Sequence, residues 1–139
     1  VRSTRLRGIR IPQDQVPLAI DEFPALFIAA ACAEGETVLA GAQELRVKES
    51  DRIAVMAQGL KRLGIKVQET PDGIVIQGGE ISGGEIDSRG DHRIAMSFAM
   101  AALRADGVVK VCDCKNVDTS FPRFVDFSAK AGLRIQIAR

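Results

Sequence analysis

Two stretches of this sequence follow the same plan 70 residues apart. Asp21, an apolar helix-like run, a glycine and a strand-like run are matched by Asp91, an apolar run, a glycine and a strand-like run. A second match, Leu63-Gly64-Ile65-Lys66 against Ala131-Gly132-Leu133-Arg134, has an offset of 68. Each unit reads helix, strand, helix, strand, and the first goes on to a hairpin where the second stops. Self-similarity at a fixed period means one supersecondary unit used repeatedly, with neighbouring units covering each other's apolar faces.

The polarity of the elements narrows the architecture further. In a doubly wound α/β fold the strands are continuously apolar and the helices amphipathic. Here the runs 25–33 and 94–103 are apolar nearly all round, whereas Ile65 to Glu69 and Leu133 to Ile137 begin as or form period-2 alternations. An all-apolar helix calls for burial on every side, and an alternating strand has one wet face. The pattern predicts helices packed within and small sheets outside, with the conventional α/β sandwich as the competing architecture.

Local signals place the remaining elements. Ile53, Met56, Leu60 and Leu63 recur at helical spacing over 51–63, and Gly64 is the expected cap. Ser50 and Asp51 are both plausible N-caps. Pro71-Asp72-Gly73 predicts the turn of a hairpin ending at Gln77. Glu80 to Ser82, bracketed by glycine pairs, reads as connecting strand or loop. A strand is expected at Val108–Val111 after Gly107, a last helix from Phe121-Pro122 to about Lys130, and a final strand at Leu133–Ile137. The polar start, Val1 to Gln15, alternates only at Ile9 and Ile11 and looks like a truncated edge.

Composition excludes several classes. With 19 Lys plus Arg against 18 Asp plus Glu, the net charge of +1 offers no bulk attraction to nucleic acid, and the lack of Tyr and Trp leaves few stacking platforms. The longest apolar run, 25–33, is far short of the ~20 residues of a membrane span. No secretory signal is visible, so a cytoplasmic protein is expected, with no membrane partner. Cys32 reads as a core residue. Cys112 and Cys114 form a C-x-C with a single histidine in the whole chain, too few ligands for zinc, so no metal is expected.

The candidate chemistry lies where helices begin. Arg46-Val47-Lys48-Glu49-Ser50-Asp51-Arg52 holds five charges of both signs and runs into a helix start. Cations there oppose the macrodipole, whereas free amides, Lys and Arg together suit an anion. Asp21-Glu22 and Asp91-His92-Arg93 open the other two helices. Parallel helices from a repeat would bring all three groups to one surface. Arg52 and Arg93 could then grip a carboxylate or phosphate, Asp21 and Glu49 could handle protons, and His92 could assist. Taken singly, each has a plain alternative. Asp21 and Asp91 are ordinary N-caps, Lys48-Glu49 and Asp51-Arg52 solvated charges, and His92 a structural residue.

The motifs from Arg46 to Arg52, from Asp91-His92-Arg93 to Phe98, and at Thr119-Ser120-Phe121-Pro122, with Asp21 in its Ile-Asp-Glu-x-Pro setting, resemble the 5-enolpyruvylshikimate-3-phosphate (EPSP) synthase family. The resemblance runs from about Pro17 to Ile137. It implies an inside-out α/β domain of the EPT/RTPC-like kind, built of βαβαββ units with buried helices and outer mixed sheets. Residues 1–139 would then be a partial C-terminal domain of about two units, the last incomplete, without the N-terminal domain. The implied reaction moves the enolpyruvyl group of phosphoenolpyruvate to the 5-hydroxyl of shikimate 3-phosphate, with no organic cofactor or metal, in the shikimate pathway to aromatic amino acids. Glyphosate competes at the phosphoenolpyruvate position.

By the same resemblance, Asp21 is the proton acceptor at the 5-hydroxyl and Lys48 contacts shikimate 3-phosphate. Glu49 exchanges a proton with the enolpyruvyl methylene, and Arg52 and Arg93 hold the phosphoenolpyruvate carboxylate. Two positions depart from the common pattern. Glu44 stands where many members carry Asn, and Ser120, a further possible site residue, stands just before the late Phe-Pro, where many carry Lys. Both look like the subgroup that includes glyphosate-tolerant enzymes. A fragment of this kind supplies half an active site and is expected to be inactive alone. The alternatives are a related UDP-N-acetylglucosamine enolpyruvyl transferase and a non-catalytic anion-binding or interaction module.

Overall fold

The computed structural model describes residues 4–138. Residues 6–11 run parallel beside β1 (Glu36–Leu39), with Gly8 N donating to Glu34 O at 2.8 Å and Ile11 N to Val38 O at 2.9 Å. Within the stretch 1–15 that reads as a truncated edge, whose first three residues lie outside the described ones, residues 6–11 are therefore the neighbour of β1, and α1 (Phe23–Ala31) is the crossover between them. On its other side β1 pairs antiparallel with β3 (Gly73–Gln77), from Glu36↔Gln77 to Leu39↔Ile74. The 66–70 strand, β2 (Lys66–Thr70), closes the predicted hairpin against β3. With α2 (Arg52–Arg62) between β1 and β2, residues 6–77 trace one βαβαββ unit.

The second unit opens with β4 (Ile81–Asp87), which pairs in parallel with β5 (Ala105–Cys112) across the crossover helix α3 (His92–Ala101). Both strands are longer than the sequence pattern suggested. β4 passes straight through Gly83-Gly84 and β5 includes Gly107, because glycine here admits a neighbour. A Cβ on Gly83 would sit 2.8 Å from Val108 O, at the register shift between Ser82 and Gly84. The glycine pair is a close-approach bulge rather than a loop boundary.

The last part departs most from expectation. Phe121-Pro122 does not open a helix. It separates a single turn, α4 (Val117–Ser120), from α5 (Phe124–Lys130). The clean alternation at Leu133–Ile137 forms no strand. Backbone donors and acceptors make a strand only against a partner, and none lies beside this segment among the described residues. Leu133 is buried, but Ile137 is 76% exposed.

The three long helices occupy the middle. α2 touches α1, α3, β2, β3 and β4, and its Ile53, Met56, Ala57 and Leu60 are fully buried. α2 and α3 meet at Gly59, where a Cβ would lie 2.3 Å from the ring of the fully buried Phe98. The outer strands β2 and β5 carry mostly exposed or half-exposed residues, and Val108 in β5 is 84% exposed. Helices inside and sheets outside is thus the arrangement. One expectation needs correction: α1 is not buried on every side. Ala25 and Leu26 face solvent, Leu26 at 42%, and a shallow groove runs between Ala25 and Ile28 of α1 and Met96 and Met100 of α3. All-round apolarity signals burial only when every neighbouring helix is present.

Candidate functional site

The starts of α1, α2 and α3 converge on the guanidinium of Arg52. Its Nε donates to Asp91 Oδ2 at 2.9 Å, its Nη1 to Asp21 Oδ1 at 2.9 Å and its Nη2 to Glu49 Oε2 at 2.6 Å. Arg52 is 1% exposed and Asp91 0%. Asp21 and Glu49 form the roof, at 46% and 53% side-chain exposure. Burial works against the charge of Arg52, yet its bonds to Asp91, Asp21 and Glu49 prevail and hold its pKa above the ordinary value. Carboxylates surrounding a cation in the first turn of a helix also offset its clash with the macrodipole.

Arg93 ties α3 to α1. Its Nη1 donates to the backbone oxygen of Asp21 at 3.0 Å and to Glu22 at 3.2 Å, and its Nη2 lies 4.0 Å from Asp21 Oδ2. Lys48 forms a salt bridge to Glu44 and lies 3.8 Å from Asp21 Oδ1, and the Glu44 bond raises its pKa. Asp21 is therefore surrounded by cations. The bond from Arg52 comes first among the causes that hold its carboxyl below the usual range; partial burial opposes it, and Lys48 and Arg93 add to it.

Each predicted residue has a definite place. Asp21, Lys48, Glu49, Arg52 and Arg93 share one mouth. His92 opens α3 half-buried and takes part in none of the described hydrogen bonds. Ser120 is exposed on α4, its amide bonded to Asn116 O. Asp21 is not the N-cap of α1. That helix starts after Glu22 with no side-chain cap, which leaves the Asp21 carboxylate to Arg52.

The charged run divides by role. Asp51 caps α2, accepting from Ala54 N at 2.9 Å, and Arg46 donates to Asp51, to Pro71 O and to Thr70 O, pinning the hairpin turn to the helix start. Arg46 and Asp51 are scaffold, whereas Lys48, Glu49 and Arg52 face the mouth. The residue that sequence reasoning undervalued is Asp91. It caps α3 through Oδ1, accepting from Arg93 N and Ile94 N, and holds Arg52 and Ser50 through Oδ2. Its position at a repeat-related helix start was the available signal, and the second partner, 39 residues away in sequence, was not.

In sum the mouth carries three cations, Lys48, Arg52 and Arg93, and five carboxylates, Asp21, Glu22, Glu44, Glu49 and Asp91. Every cation is already engaged. A helix-start cluster of this composition, with two arginine forks, can hold an anion and move protons beside it. No helix among the described residues is long and apolar enough to cross a membrane.

This is an inside-out α/β fold with a charged mouth at its helix starts. The family model for EPSP synthase (3-phosphoshikimate 1-carboxyvinyltransferase) matches residues 1–127, and the chain belongs to that family. It is 69% identical over 136 residues to the 3-phosphoshikimate 1-carboxyvinyltransferase of Nitrosococcus oceani, a match covering 98% of this chain and 31% of that protein. It is 65% identical over 138 residues to the one of Methylococcus capsulatus, covering 99% and 32%. An EPSP synthase structure from Acinetobacter baumannii superposes with a TM-score of 0.94 at 59% identity, covering 97% of this chain and 32% of that one. The chain thus spans about a third of the length of the relatives it matches.

Proposed function

We propose that the chain is part of the C-terminal domain of a cytoplasmic EPSP synthase and supplies one half of its active site, which transfers the enolpyruvyl group of phosphoenolpyruvate to the 5-hydroxyl of shikimate 3-phosphate. The observation that carries this reading is the meeting of Asp21, Lys48, Glu49, Arg52 and Arg93 at one mouth, in a chain of this family.

In the proposed chemistry the 5-hydroxyl oxygen attacks C2 of phosphoenolpyruvate. Asp21 takes the hydroxyl proton, and Glu49 delivers a proton to the methylene carbon. Phosphate leaves as the methyl group returns a proton to Glu49, which restores the double bond. Arg52 and Arg93 hold the carboxylate, and Lys48 meets the phosphate of shikimate 3-phosphate. Cations fixed in place beforehand stabilise charge as it develops, and held reactants avoid the entropy of meeting. Arg52 becomes reachable when the exposed Glu49 side chain swings off Nη2.

The excess of carboxylates over cations supports a half-site. An anion gains little here until further cations arrive from a partner domain, so the chain alone binds its substrates weakly and does not turn over. Glyphosate would enter as a second anion at the Arg52–Arg93 position, and the Lys48–Glu44 bridge would weaken the grip on the shikimate phosphate.

The test places this segment in an enzyme of the relatives' full length. Glu49→Gln and Asp21→Asn are expected to slow phosphate release from the two substrates by about 10²-fold or more, the usual scale for a lost general acid or base. Retained turnover in both variants would overturn the assignment.

A further inference from the structure

We propose that Asp91 is a positioning residue that aims Arg52 at the mouth. The inference rests on the reading of Arg52 as a carboxylate clamp. Arg52 is the largest fully buried side chain of the domain, yet its guanidinium must present its outer nitrogens upward. A free arginine has no preferred direction at the end of its flexible stem. Asp91 removes that freedom from below. Its Oδ2 takes the Nε hydrogen at 2.9 Å, which leaves Nη1 and Nη2 facing Asp21 and Glu49.

Asp91 is itself held on both oxygens. Its other oxygen accepts from Arg93 N at 3.0 Å and Ile94 N at 3.4 Å, and Ser50 Oγ reaches Oδ2 at 3.0 Å. One buried carboxylate thus couples the first turn of α3 to the guanidinium at the first turn of α2. Because Arg93 is the next residue but one, the same carboxylate sets the backbone from which the second arginine reaches Asp21. The two clamps are referenced to a single point. Asp91 touches no substrate in this arrangement. It acts through Arg52.

Asp91→Asn separates the two duties. Asparagine is as good an N-cap as aspartate, so its single oxygen can keep the α3 amides. Its NH₂ then faces the Arg52 Nε–H and Ser50, donor against donor. In the isotope-labelled chain, the Arg52 Nε–H resonance should be shifted and slow to exchange, and Asp91→Asn should collapse that signature. With this segment in an enzyme of the relatives' full length, phosphoenolpyruvate titration, with and without shikimate 3-phosphate, should show affinity for phosphoenolpyruvate falling about tenfold or more, the scale of a lost charge-assisted bond. Affinity for shikimate 3-phosphate should stay within about twofold, whereas a merely structural loss would lower both together.

Unchanged phosphoenolpyruvate affinity in the variant, or an Arg52 Nε–H signature that survives it, overturns the proposal. If Asp91→Asn does not fold, Asp91→Ser keeps a capping oxygen that is too short to reach Nε, and the same readouts apply. If the native segment within an enzyme of the relatives' full length binds neither ligand, the functional reading fails instead. The Nε–H signature then still decides whether Asp91 holds Arg52.

Discussion

Asp21 and Asp91 occupy equivalent places in the repeat, each at the start of an apolar helix, and they do different work. Asp91 is sealed, caps its helix and grips Arg52 from below. Asp21 is half-exposed, caps nothing and meets Arg52 from above. The buried copy is a fixed point, and the exposed copy is free to exchange partners. A repeat therefore reuses a position without reusing its role, because the surroundings decide which face of the carboxylate meets protein and which meets solvent.

The largest expected effect tests that contrast directly. Asp91→Ala removes one partner of a buried ion pair and a helix cap, and should cost about 3–5 kcal/mol in urea unfolding. Asp21→Ala should cost less than about 1 kcal/mol, as exposed pairs do. Equal losses would erase the distinction.

Next in size, Gly59→Ala should destabilise by about 1–3 kcal/mol despite alanine's better helix propensity, because the added methyl meets the fully buried Phe98 ring. A neutral result would mean that the α2–α3 contact between the units is looser than the distances indicate.

A third prediction compares the finished sheet with the segment that has none. Amides of Ile74 and Ile76, in a strand flanked on both sides, should be among the slowest to exchange hydrogen. Ile135 and Ile137 should exchange within about tenfold of an unstructured chain. Strong protection at Ile135 would mean that the segment finds a strand partner, such as a second copy of the chain.

The smallest effect is on pH. The Asp21 carboxyl lies below its ordinary value of 3.8, chiefly through Arg52. A group whose pKa is lower folded than unfolded stabilises fully above the unfolded value and loses that contribution as pH falls through the folded one. The urea midpoint should therefore decline below about pH 4, and Asp21→Asn should flatten part of that decline. An unchanged slope would place the acid sensitivity elsewhere.

The sequence alone determined the period of the repeat, the inversion that puts helices inside, the Pro71-Asp72-Gly73 hairpin and the set of charges at the helix starts. These signals are local: spacing, alternation and turn residues act within a few positions. Tertiary structure decided the rest. Leu133–Ile137 alternates as well as any strand and stays unpaired, while the weak pattern near Ile9 pairs with β1, because a strand is defined by its neighbour. Arg46 and Arg52 look alike within one run, and only the fold makes one a brace for a turn and the other the buried centre of the mouth. Asp91 reads as a helix cap from its sequence, and its hold on Arg52 arises from a contact that forms only when two units pack together.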